Sequence, residues 1–153
     1  MTEKISLQEV SKGFADGLMK TEYYLKNSGL DQKLIELMKY RVSQINACAY
    51  CLDMHHKEAI HMGENELRIH SLAAWKDCPF YNEKERAVLA YAEALTLPDN
   101  QESYRQTFDK LIAYFSKSEI ADLTLAITQI NTWNRINKAF GAIPGNYKVE
   151  QAN

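Results

Sequence analysis

Proline and glycine are scarce in this chain of 153 residues, three and six in number, and valine and threonine are sparse too. Little is left from which to build strands and tight turns. No apolar run approaches the roughly 18 residues a membrane span needs, and the opening stretch MTEKISLQEVSKGF lacks the apolar core of a signal peptide. The expectation is therefore a cytoplasmic protein with no membrane partner. Neither sign of charge dominates: 18 basic and 20 acidic residues give a net charge of −2, and the signs are interspersed, so nucleic acid is not an expected partner. Cysteine is limited to three residues. They cannot all pair internally, and a reducing compartment disfavours structural disulfides, so the close pair Cys48 and Cys51 invites a metal or redox reading. Cys78, alone in KDCPFYN, reads as an inert thiol.

What the chain does have is apolar residues recurring every three to four positions in nearly every segment. The expected fold is all-α, a single domain over 1–153 with a bundle of six or seven helices and its core at about 30–140. A first helix is expected over Leu7–Lys26, with Val10, Phe14, Leu18 and Tyr24 among its buried positions. Asp31 is the expected N-cap of a second helix, and Asn46 that of a third carrying the cysteine pair. Gly63 should stop that helix, and ENELRIHSLAAW should form a short one. Capping-box spacings at Asn82 with Glu85, Asp99 with Glu102 and Ser116 with Glu119 open helices near 83–96, 100–115 and 117–140. The tail from Pro144 onward is polar and expected to be loose.

The stretch INACAYCLDMHHKEAIHMG, 45–63, concentrates chemistry. On a helix, Cys48, Cys51 and His55 are three and four apart and share one stripe, with neighbouring Cβ atoms about 5–6 Å apart. A disulfide wants roughly 3.5–4.5 Å, which a modest adjustment in a first turn supplies. A helix N-terminus stabilises a thiolate through its free N–H groups and dipole, which by itself favours Cys48 as the more acidic thiol. His55 is placed to exchange a proton with a sulfur. Glu36, between apolar Ile35 and Leu37 on the preceding helix, could turn inward to complete a relay, the alternative being a solvated carboxylate. Two further readings stay open: small cysteines filling a helix interface, and structural zinc. Zinc wants four ligands where three are offered, since His56 projects about 100° away and His61 lies on another face. His56, His61 and His70 are assigned no catalytic role, and Trp133 and Arg135 read as structural.

Glu36, then Cys48-x-x-Cys51, then x-x-x-His55 resembles the motif of the alkylhydroperoxidase AhpD-like group in the carboxymuconolactone decarboxylase superfamily. The likeness runs through LIELMKYRVSQINACAYCLDMHHKEAIHMGENE, LAAWKDCPFYNEKERAVLAYAEALT and LTLAITQINTWNRINKAF, most of the chain. The resemblance implies a helical fold, trimers or hexamers, and an alkylhydroperoxidase-like oxidoreductase that needs no cofactor and no metal. It further implies that Cys51 attacks a hydroperoxide and Cys48 resolves the sulfenate, with Glu36 and His55 as proton relay and an external dithiol as reductant. Between the cysteines this chain carries Tyr50 where members can carry His, which puts that supporting proton-transfer group in question. A non-enzymatic redox-sensing oligomer is the competing function.

Overall fold

A computed structural model of the chain describes residues 2–97 and 101–149, the side chains of 101–103 excepted. Among the described residues there are seven α-helices, one short 3-10 helix and no strand. They are α1 (Asp16–Lys26), α2 (Gln32–Ile45), α3 (Ala49–His61), α4 (Glu66–Ser71), the 3-10 helix (Leu72–Asp77), α5 (Glu83–Thr96), α6 (Gln101–Leu111) and α7 (Lys117–Phe140). No helix among these residues is long and apolar enough to cross a membrane.

The helix starts follow from side chains that satisfy the free N–H groups of a first turn. The Asp31 carboxylate accepts from Lys33 and Leu34. The capping boxes at Asn82 and Glu85 and at Ser116 and Glu119 are both complete, while the one expected at Asp99 and Glu102 lies outside the described residues. Gly141, with φ +72°, closes α7, and Gly63, with φ +80°, follows the last turn of α3. Glycine reaches this left-handed backbone without the Cβ clash other residues meet.

Helix α2 is the central element. Ile35, Met38 and Val42 pack into the larger core with Val88 and Ala92 of α5 and Leu123, Ile127 and Ile130 of α7. Leu37 packs on the other side, against Ala59, Ile69, Leu72, Trp75 and Leu89. Full burial of such side chains contributes about 1.5–3 kcal/mol each, so α2 is held from both sides. Polar groups fix its C-terminal end against α7. The Asn46 side-chain amide donates to Asn131 and Asn134, both at 2.9 Å, and the fully buried Asn134 donates to Ser43 at 3.1 Å.

Three expectations are corrected. The first helix begins at Asp16 rather than Leu7, because Gly13 takes a left-handed φ of +85° and the residues before it form turns. As a result Phe14 and Tyr24 are exposed in this chain, Val10 and Leu18 are half-buried, and Leu25 is the buried residue of α1. Asn46 does not cap α3; it ends α2, and the residue in the N-cap position of α3 is Cys48. The tail is pinned as far as Tyr147: the Gly145 N–H donates to Asp53, Lys57 donates to the Gly145 and Tyr147 carbonyls, and the Tyr147 hydroxyl donates to Glu58.

Candidate active site

The link between α2 and α3 is short and tightly specified. Ala47 is left-handed, with φ +49°. Its N–H donates to the Gln44 carbonyl and the Cys48 N–H to the Ser43 carbonyl, both at 3.1 Å, the reciprocal pattern of a Schellman motif with alanine where glycine is usual. This turn leaves Cys48 extended, with φ −95° and ψ 96°, at the N-cap of α3, where its sulfur accepts from the Cys51 N–H at 3.4 Å. The two cysteines are joined by a disulfide across a Cα separation of 5.3 Å. The adjustment the even helical stripe requires is thus supplied by a cap position rather than by bending a helix.

Helices α2 and α3 bring Glu36 and His55 together. Glu36 faces inward and is only 6% exposed, His55 3%, and Glu36 Oε2 lies 2.7 Å from His55 Nδ1. Of the two ring nitrogens, Nδ1 is the one engaged by the carboxylate. The other, Nε2, is buried and has no hydrogen-bond partner. Buried polar atoms are nearly always satisfied, so this nitrogen stands out among the described side chains.

The carboxylate is held by more than the imidazole. Lys39, one turn along α2, reaches Glu36 Oε1 at 3.4 Å and Glu22 of α1 at 3.3 Å. Glu22 in turn accepts from the indole N–H of Trp133 on α7 at 2.9 Å. Burial on its own would raise the pKa of Glu36, but His55 and then Lys39 favour the charged form and bring it well below the usual carboxylate range. Burial likewise opposes the charge on Lys39, and Glu36 and Glu22 outweigh it, so the ammonium is held more firmly than in water.

A cavity of about 280 Å³ opens onto this group. Cys51 and His55 line it and Cys48 does not, while Met19, Tyr50, Met54 and Ile130 make its walls largely apolar. From α7, the Asn137 side-chain amide points at the Cys51 sulfur, 3.5 Å away. A larger hollow of about 460 Å³, lined by Tyr91 of α5 and Phe108 of α6, has no thiol among its described lining residues.

All four residues singled out in the sequence meet here. The other expected assignments divide. His56 lies apart, paired with Glu66 at 3.1 Å, and His61 and His70 are exposed. Among the described residues no group of three or more His, Cys, Asp or Glu side chains is arranged to hold a metal ion. Cys78 is a free, half-buried thiol. Arg135 is exposed and bonds back to Asn131. Trp133 anchors Glu22 through its indole N–H and also lines the cavity. Glu22, Lys39 and Asn137 had gone unrecognised. Lys39, at i+3 from Glu36, carried a sequence signal; Glu22 and Asn137 come from helices whose packing no local pattern reveals.

The family model described as the carboxymuconolactone decarboxylase family matches residues 11–94. The chain belongs to this family. The uncharacterized protein YdfG of Bacillus subtilis (strain 168) is 38% identical over 141 residues, 92% of this chain and 96% of that protein. A crystal structure of a protein of unknown function from Agrobacterium tumefaciens, whose description links it to the antioxidant defence protein AhpD, superposes with a TM-score of 0.89. The identity there is 38%, and the match covers 95% of this chain and 100% of the other. The fold is therefore AhpD-like. The debrominase Bmp8, in a complex with 2,3,4-tribromopyrrole, shares the fold with a TM-score of 0.76 at 22% identity, over 86% of this chain and 71% of that one. Enzymes thus occur on this fold, Bmp8 among them.

Proposed function

We propose that the protein is a thiol-dependent peroxidase and disulfide oxidoreductase that reduces hydroperoxides through Cys51 and Cys48. The observation that carries this reading is the free Nε2 of His55, backed by Glu36, at the same cavity wall as Cys51 and beside a disulfide-bonded partner. In the reduced protein His55 takes the Cys51 proton. The thiolate attacks the terminal oxygen of ROOH, the O–O bond breaks, and the proton on His55 passes to the departing alkoxide, giving Cys51 sulfenic acid and ROH. The Cys48 thiol then displaces hydroxide, which leaves as water with the Cys48 proton, and the disulfide forms. An external dithiol reduces it by two successive exchanges. In the return step the N-terminal amides of α3 favour Cys48 as a leaving thiolate, since its sulfur already accepts from the Cys51 N–H.

This chemistry requires no cofactor, and the whole chain serves it as one domain in a reducing, cytoplasmic setting. The exposed apolar residues of and before α1, Phe14, Met19 and Tyr23 among them, support assembly into a homo-oligomer. The test is stopped-flow oxidation of the reduced protein by hydrogen peroxide and by an organic hydroperoxide, followed by mass mapping and by turnover with a dithiol. A Cys48 to Cys51 disulfide with repeated turnover is the expected result. Failure of that disulfide to form overturns the mechanism, and oxidation without dithiol-driven turnover favours a redox sensor.

A further inference from the structure

The ion network behind the relay extends further than the relay needs. A Glu36 carboxylate that only oriented His55 would need one oxygen, Oε2 at 2.7 Å. Its other oxygen is taken by Lys39, and Lys39 is shared with Glu22, itself fixed by the Trp133 indole. Glu22, Lys39 and Trp133 all border the same cavity as Cys51 and His55. The Lys39 side chain is 12% exposed and that of Glu36 8%, so their charges act through little water. Together Glu22, Lys39 and Glu36 carry a net charge of −1, which becomes −2 without the Lys39 charge and zero without that of Glu22.

We infer that Lys39, gripped by Glu22, is a positioning residue that fixes Glu36 against His55 and sets the electrostatic potential in which the Cys51 proton is held. The inference rests on the proposed proton relay and deepens it. The titratable groups that face this network are Glu22 from α1, His55 and Tyr50 from α3, and Tyr147 from the C-terminal segment, whose phenol is acted on electrostatically by Tyr50 and Glu36. Helix α7 contributes Trp133 and Asn137, which do not titrate. Lys39 is thus the cation built into the wall, and its loss favours the protonated form of every acid and base nearby, however the proton is divided between Cys51 and His55. Loss of the Glu22 charge has the opposite sign. A bracing role alone would not produce opposite signs.

The experiment is alkylation of reduced protein by iodoacetamide across pH, in a Cys48→Ser background so that no disulfide re-forms, with peptide mass mapping to separate Cys51 from Cys78. Thiolate displaces iodide, so the rate follows the Cys51 thiolate fraction without any peroxide. Lys39→Met is expected to move the midpoint up by about one pH unit. Lys39→Arg, which keeps the charge, should return it to the parent value. Glu22→Gln, which keeps an acceptor for Trp133, should move it down, and it decides the matter alone if Lys39→Met fails to fold. An unmoved midpoint in Lys39→Met, or a shift of the same sign in both variants, overturns the inference. Because the readout uses no hydroperoxide, opposite shifts with no peroxide turnover would sink the peroxidase reading and leave this one standing.

Discussion

Two carboxylates on or against α2, the buried Glu36 and the half-buried Glu93, have opposite character. Glu93, on α5, accepts from Arg41 and from the Trp75 indole at 2.8 Å and pairs with Lys76 at 2.8 Å. Every partner in that cluster is satisfied, and it ties α2, α5 and the 3-10 helix together. Glu36 sits in an equally charged group, but its network ends at His55, whose Nε2 has no partner and which lines a cavity together with a cysteine. Burial opposes the charge in both places and neighbouring cations more than offset it, so both carboxylates ionise more readily than in water. A perturbed pKa therefore does not separate a site from a brace. The proposed function draws the line at the incomplete hydrogen bonding instead, as a nitrogen without a partner can take up a proton.

The comparison can be broken most severely at the sulfur. Cys51→Ser should abolish hydroperoxide turnover while far-UV circular dichroism stays that of the parent, and appreciable residual turnover would move the nucleophile elsewhere. Glu36→Gln should come next. It should slow the reaction of Cys51 at neutral pH by about 10²-fold, within the usual range for a general acid–base group. An unchanged pH–rate profile would remove Glu36 from the relay. Glu93→Gln should reverse the pattern, lowering stability by about 1–3 kcal/mol in denaturant titration with the Cys51 alkylation profile unmoved.

Acid offers a test common to both carboxylates. Each has a folded pKa below its unfolded value, so the stabilisation is fully present above the unfolded carboxylate value of about 4.3 and is lost as pH falls through the lower folded one. Thermal melts below pH 4 should therefore show a stability decline that is shallower in Glu93→Gln than in the parent. The smallest effect is expected at the turn before the site: Ala47→Gly should relieve the left-handed alanine at φ +49° and raise stability by up to about 1 kcal/mol, read as an increase in Tm.

Much of the fold could be read from local pattern. The starts at Asp31, Asn82 and Ser116 follow from short polar acceptors that reach N–H groups two or three residues on, an interaction that lies wholly within one turn. The long α7, expected near 117–140 and found over Lys117–Phe140, was equally legible. The start of α1 was not, because nothing in the periodicity of Leu7 to Phe14 reveals that Gly13 adopts a left-handed turn. The pinned tail was also hidden, since Tyr147 meets Glu58 and Gly145 meets Asp53 only after α3 is in place. Asn46 looked like a cap and serves instead to join α2 to α7.

By itself the sequence determined an all-helical chain and a stripe of Cys48, Cys51 and His55, because residues three and four apart meet on any helix. It offered Glu36 as a partner without fixing which way the carboxylate turned. Tertiary structure decided the rest. The two-sided packing of α2 turned Glu36 inward to His55, and α1 and α7 brought Glu22, Trp133 and Asn137 to the same cavity from as far as 111 residues apart in the chain. The physical reason is range: capping and helical spacing act within a turn, whereas the burial of a charge and the partner that offsets it depend on which helices come to lie side by side.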